Sequence, residues 1–147
     1  MRLLLQRVTR AEVRVDGTAV GAIGPGLLVL VGVGPSDTEA IARTLADKVV
    51  DLRIFRDEGG LTNRSLIDVG GALLAVSQFT LFADARKGRR PSFIGAAPPE
   101  LGEALYAVFA EAVEVRGVTV ARGVFGAEMQ VELVNDGPMT IWLDSEA

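Results

Sequence analysis

Val134–Leu143 reads VNDGPMTIWL. Val131, Leu133 and Val134 on one side, and Ile141, Trp142 and Leu143 on the other, are strand formers. Asn135-Asp136-Gly137 between them would make an ordinary hairpin turn, since Asn and Asp tolerate left-handed backbone and close local turns. Pro138 is the odd residue. It deletes a backbone donor and cannot sit inside a central strand. A rigid Gly-Pro step where a flexible turn would suffice calls for a reason beyond chain reversal.

Upstream, Leu3–Val8 and Ala11–Val15 read as strands, and Asp16-Gly17 turns the chain into a third, Thr18–Ile23. Gly24-Pro25-Gly26 precedes LLVLVGV, a continuous apolar run of the kind buried on both faces of a sheet. Ser36 and Glu39 have capping-box spacing, and the helix they open carries Ile41, Leu45, Val49 and Leu52 on one face. DEGGLTNRS is a polar loop, and Gly70-Gly71 precede another buried strand, Ala72–Gln78. Pro98-Pro99 open a second helix, with Leu101, Ala104, Leu105, Val108, Phe109, Ala112 and Val113 at helical spacing, and Gly117 ends it. Val118–Arg122 and Met129–Val134 are further strands, and TIWL is the last. No linker or repeat divides the chain. The expectation is one α+β domain over residues 1–147: a mostly antiparallel β-sheet, barrel-like, with two long helices.

The residue inventory prunes the chemistry. There are 147 residues, and none is cysteine or histidine. Disulfides, thiolate nucleophiles, Ser-His-Asp triads and nearly every zinc or non-haem iron site are thereby excluded. Asp57 and Glu58 lie in a Gly-rich loop without calcium-loop spacing. No phosphate loop or dinucleotide fingerprint occurs, so neither metal nor cofactor is expected. No apolar run is long enough to cross a bilayer, and MRLLLQRVTR lacks a signal peptide's apolar core, which makes the cytoplasm the expected location and no membrane partner the expected case. Fifteen Lys and Arg against nineteen Asp and Glu leave a net charge of −4, a poor match for extended DNA binding. The cations are clustered, however: Arg86, Lys87, Arg89 and Arg90 fall within five residues, and Arg2, Arg7, Arg10 and Arg14 near the start face only Glu12. Each cluster is either a solvated surface or a local phosphate-binding patch.

AVSQFTLFADARKGRRPSF leads from a buried strand straight into the first cluster. Ser77, Gln78, Phe79 and Thr80 are oddly polar for the end of an apolar strand; the two hydroxyls either satisfy local backbone groups or line a site. SQFTL at Ser77–Leu81 and NDGPMT at Asn135–Thr140 resemble the two signature motifs of the D-aminoacyl-tRNA deacylases, also called D-tyrosyl-tRNA deacylases. The resemblance extends through QRVTRA, GLLVLVGV, RIF, RPSF and EALY, with Met139 standing where the family commonly has valine.

That resemblance implies a metal-free homodimeric esterase with active sites shared between subunits. It would remove D-amino acids, and glycine, from the ribose of the terminal adenosine of tRNA. Ser77, Gln78, Phe79 and Thr80 would line the pocket, and a cis Gly137-Pro138 would reach into the partner's site to exclude L-residues. Because they follow directly on the pocket strand, and not from the resemblance itself, Arg86, Lys87, Arg89 and Arg90 are expected to contact phosphates near the aminoacyl-tRNA 3′ end. Without His or Cys, Thr80 and Ser77 have no obvious base to activate them. An aminoacyl ester is already reactive and has a vicinal ribose hydroxyl, so positioning and oxyanion donors suffice, with backbone amides near Gln78 and Phe79 as the candidates. Thr80 as nucleophile is the alternative mechanism. A non-catalytic binder of the charged tRNA end and a purely structural dimer are the rival readings.

Overall fold

The two segments read as separate N-terminal strands form one, β1 (Arg2–Val15). In the computed structural model, which describes all residues Met1–Ala147, it is followed by β2 (Thr18–Ile23), β3 (Gly26–Gly32), α1 (Glu39–Asp51), β4 (Phe55–Arg56), β5 (Thr62–Arg64), α2 (Leu66–Val69) and β6 (Ala72–Ser77). A 3-10 turn (Phe79–Phe82), α3 (Pro99–Val115), β7 (Val120–Arg122) and β8 (Gln130–Asp144) complete the chain. The main sheet runs β2-β1-β3-β6-β7, with β8 on the other side of β1. β1 is antiparallel to β2, β3 and β8, whereas β3-β6 and β6-β7 are parallel. Parallel neighbours need a long crossover, and the two long helices are those crossovers: α1 lies between β3 and β6, α3 between β6 and β7.

The continuous apolar runs are explained by two cores on opposite faces of the sheet. Leu27, Val29 and Val31 of β3, with Leu73 and Ala75 of β6, face the helices and pack with Leu45, Val49 and Phe109. Their neighbours in sequence, Leu28, Leu74 and Val76, face the concave side with Val8, Ala11 and Val13. β1 passes from the first core to the second at two bulges, between Gln6 and Val8 and between Val8 and Arg10. The sheet nearly closes where β2 approaches β7: a Cβ at Gly21 would lie 2.6 Å from the Arg122 carbonyl oxygen. The resulting α+β domain is barrel-like with two long helices and one short one.

VNDGPMTIWL is not a hairpin. Both of its flanks pair with β1, Gln6 opposite Thr140 and Val8 opposite Asn135, so Arg7 alone faces Asp136–Met139. The four residues bulge out of one long strand. β8 thereby continues along β1 in both directions, a pairing that local turn propensity cannot reveal. Three smaller corrections accompany it. Thr38, not Ser36, caps α1, its hydroxyl accepting from the Ile41 amide. The capping box belongs instead to Ser65 and Asp68 at α2. The segment read as a polar loop holds the turn of the β4-β5 hairpin, β5 itself and Ser65, the N-cap of α2.

Candidate active site

The end of β6 is where the fold changes character. Ser77 is in register with Val31, and the Gln78 amide donates to the Val31 carbonyl at 2.8 Å, the last bond of that ladder. The chain then tightens into the 3-10 turn, where Leu81 and Ala83 donate back to Gln78 and Thr80. The first amides of any helical turn have no partner within it. Here the N–H groups of Phe79 and Thr80 make no hydrogen bond within the chain. Of the amides expected to serve an oxyanion, that of Gln78 is therefore committed and that of Phe79 is available, with Thr80 beside it. The Thr80 hydroxyl receives the side-chain amide of Gln78. It thus meets a donor, not a base, and its partner is a side chain rather than the local backbone.

Ser77, Gln78 and Phe79, but not Thr80, line a cavity of about 520 Å³, a volume suited to a small ligand. Ser77 and Gln78 form its polar edge, and Val31, Val76, Phe79, Met129 and Val131 its apolar walls. Phe125 and Gly102 also line it, and Tyr106 stacks on Phe125 with ring centres 6.3 Å apart. The Tyr106 hydroxyl donates to the Ala75 carbonyl at 2.6 Å, tying α3 to the strand that carries the site. Burial pushes this phenol up to about 12, so it stays neutral and a donor at any physiological pH. No group of three or more carboxylates converges to hold a metal ion, and no helix is long and apolar enough to cross a membrane.

Gly137 and Pro138 do not line this cavity. They are exposed, their peptide bond is cis, and their surroundings hold them firmly. Arg7, only 4% exposed, donates to the carbonyls of Ile54 at 2.7 Å and Asp136 at 3.0 Å. Arg56 grips the Asp136 carboxylate at 3.0 Å, which with Arg7 nearby holds that carboxyl below its ordinary range. Asn135 brackets the bulge from within, accepting from the Met139 amide at 2.8 Å and donating to the Met139 carbonyl at 3.1 Å. Gly137 sits at φ +129°, and a Cβ there would lie 2.7 Å from an Arg7 nitrogen, so only glycine fits. By sequence Arg7 belongs to a basic cluster, either solvated or phosphate-binding, and the structure makes it neither. Its burial became visible only once its partners, distant in sequence, were known.

The basic residues separate into two groups. Arg2, Arg10 and Arg14 are neutralised by Asp144, Glu132 and Glu12, as Arg7 is by Asp136. Arg86 pairs with Asp84 at 2.7 Å and holds that carboxyl down at about 2. Asp84 and Ser92 exchange backbone hydrogen bonds at 2.8 and 2.9 Å, closing the loop. Lys87, Arg89 and Arg90 stand exposed on it, paired with no carboxylate. Phe93 follows directly, forms part of the cavity lining and meets Phe79 edge-to-face at 5.3 Å. In the sequence RPSF figures only in the family resemblance, and Phe93, Phe125 and Met129 are not among the expected site residues. Nothing in their local spacing marks them as cavity walls.

The chain matches the family model described as D-Tyr-tRNA(Tyr) deacylase over residues 4–144. It is 63% identical to a D-aminoacyl-tRNA deacylase of Thermomicrobium roseum over 99% of this chain and 94% of that one. It is 57% identical to one of Deinococcus deserti, over 98% and 99% of the two chains. Among solved structures, one described as the c-Myc DNA Unwinding Element Binding Protein superposes over the whole of both chains with a TM-score of 0.93 at 41% identity. Another, described as a probable eukaryotic D-amino acid tRNA deacylase, shares the fold with a TM-score of 0.84 at 22% identity over 97% of each chain. By sequence along nearly its whole length, this chain belongs to the D-Tyr-tRNA(Tyr) deacylase family, whose members are hydrolases.

Proposed function

We propose that the chain hydrolyses D-aminoacyl-tRNA by positioning the ester rather than by a nucleophilic side chain. The observation that carries this reading is the pair of unpaired amides at Phe79 and Thr80 beside a hydroxyl whose bonded partner is an amide. Such amides stabilise the charge that develops on a carbonyl oxygen during acyl transfer. The oxygen of a water molecule bonds to the ester carbon. Its proton passes, with help from the vicinal ribose hydroxyl, to the departing ribose oxygen, leaving free amino acid and tRNA. Gln78 orients Thr80, and Thr80 and Ser77 orient the aminoacyl group.

Chirality is read by Gly137-Pro138 of a partner subunit. The bulge is exposed, rigidly held and outside its own cavity. The strand that carries it has β1 on one side only and exposes Val134 and Trp142, features that suit a dimer with shared sites. A backbone wall against the L side-chain direction excludes every L-residue and admits glycine, so glycyl-tRNA is also a substrate. Lys87, Arg89 and Arg90 take phosphates near the 3′ end, while Arg86 shapes their loop through Asp84. The reaction takes place in the cytoplasm, where aminoacyl-tRNA is found.

A DNA-directed role, suggested by the name of the structural relative, draws little support from a net charge of −4 and three unpaired cations on one loop. The test is turnover of D-tyrosyl-, L-tyrosyl- and glycyl-tRNA side by side. Loss of ester from the D and glycyl forms alone supports the reading; equal loss from the L form removes the chiral wall, and binding without turnover removes catalysis.

A further inference from the structure

Two large apolar side chains of the cavity lining are exposed, Phe79 at 55% and Phe93 at 40%, and Ile94, next to Phe93 in the chain, is exposed at 93%. The two rings form an edge-to-face pair. In such a pair the edge of one ring covers one face of the other, so ring surface remains open to solvent. Phe93 is held in place from both sides. Ser92 is bridged to Asp84 before it, and after it Ala96 donates to the Phe93 carbonyl at 3.1 Å and Ala97 to the Val33 carbonyl at 2.9 Å. Little conformational freedom remains to be lost on binding. The loop that ends in Phe93 carries the unpaired Lys87, Arg89 and Arg90. Exposed aromatic faces beside unpaired cations match single-stranded nucleic acid, whose bases stack while its backbone carries negative charge.

We propose that Phe93, backed by Phe79 and flanked by Ile94, is a stacking platform for the unpaired nucleobase that precedes the terminal adenosine of tRNA. This rests on the reading that the 3′ end enters the cavity. With the terminal nucleoside in the cavity, the strand leaves past Phe79 and Phe93 toward the basic loop, and the next base meets the aromatic pair. Stacking places little demand on base identity, so a purine analogue can stand in for the native base.

The probe is an RNA hairpin with an unpaired 3′ overhang in which 2-aminopurine replaces the nucleotide next to the terminal adenosine. Stacking quenches its fluorescence. Wild-type protein is expected to quench it, Phe93→Tyr to retain quenching, and Phe93→Ala to lose it with binding about tenfold weaker. Retention in Phe93→Tyr shows that the loop still folds around an aromatic ring. Quenching that survives in Phe93→Ala overturns the proposal. So does bound hairpin without quenching in wild type, the result expected if a partner subunit covers this face. Deacylation of D-tyrosyl-tRNA is measured in parallel. Quenching without hydrolysis keeps the platform and removes the catalytic reading, so the two fail separately.

Discussion

Replacing Arg7 by methionine keeps most of the buried stem and removes the guanidinium. The Ile54 and Asp136 carbonyls, at 2.7 and 3.0 Å, lose their donor. A hydrogen bond to a charged group contributes about 1.5–3 kcal/mol, and a buried acceptor left unpaired loses a comparable amount. The Ile54 bond is buried and keeps its full penalty; Asp136 is nearer the surface, where water restores part of its share. The expected destabilisation is about 3 kcal/mol, within the 5–15 kcal/mol that a domain of this kind usually holds, so the variant still folds. Trp142, the only tryptophan, lies on the strand that carries the bulge and reports unfolding by fluorescence. With a urea slope of about 1.5 kcal/mol/M, the midpoint falls by about 2 M. Because Arg7 holds Gly137-Pro138, the ratio of D- to L-tyrosyl-tRNA turnover should fall by about tenfold in the same preparation, equivalent to about 1.4 kcal/mol of discrimination. An unchanged midpoint would refute the buried-anchor reasoning. A lowered midpoint with an unchanged ratio would show that the bulge is not the selective element.

Thr80→Ala should cost activity modestly, about tenfold, as for one lost positioning hydrogen bond; abolished turnover with intact binding would indicate an acyl-threonine, which mass spectrometry of a trapped reaction would reveal. Neutralising Lys87 and Arg89 together should raise KM and lower the salt dependence of binding by about two charges in log-log slope, whereas Arg86→Ala should leave that slope nearly unchanged because Asp84 already occupies it. Tyr106, the only tyrosine, is raised from 10.0 to about 12 by burial. Its contribution is complete below pH 10 and is lost as pH rises through about 12, so alkaline titration should show phenolate absorbance appearing with unfolding in that window, not near pH 10.

The parts of this fold legible in sequence are those set by local periodicity. The α3 pattern from Leu101 to Val113 and its Pro98-Pro99 opening fall on the observed helix. The uninterrupted runs of β3 and β6 are buried on both faces, as their composition implied. What failed depends on pairing at a distance. Asn135-Asp136-Gly137 carries a strong local turn signal, yet β1 binds both flanks and turns a would-be hairpin into a bulge. Ser36 and Thr38 both suit a cap, and backbone geometry selected Thr38. For the site, the polar run Ser77–Thr80 stood out because it contradicted its apolar strand. Arg7 did not, since an arginine in a basic stretch looks solvated until its carbonyl partners are known. Lys87, Arg89 and Arg90 were no more distinctive in sequence than Arg86; only the Asp84 pairing separates them.

The central claim is that one chain's Gly137-Pro138 serves the other chain's pocket, and subunit complementation tests it most directly. One parent carries a Gly137-Pro138 substitution and the other Ala96→Trp, which fills the cavity, so neither alone should deacylate D-tyrosyl-tRNA while rejecting the L form. After the two are mixed and allowed to exchange subunits, each mixed dimer should contain one site with an intact pocket and an intact wall from opposite chains. D-selective turnover should then return, in proportion to the mixed dimers formed. A mixture as inactive or unselective as its parents, with exchange verified by mass, would contradict the account.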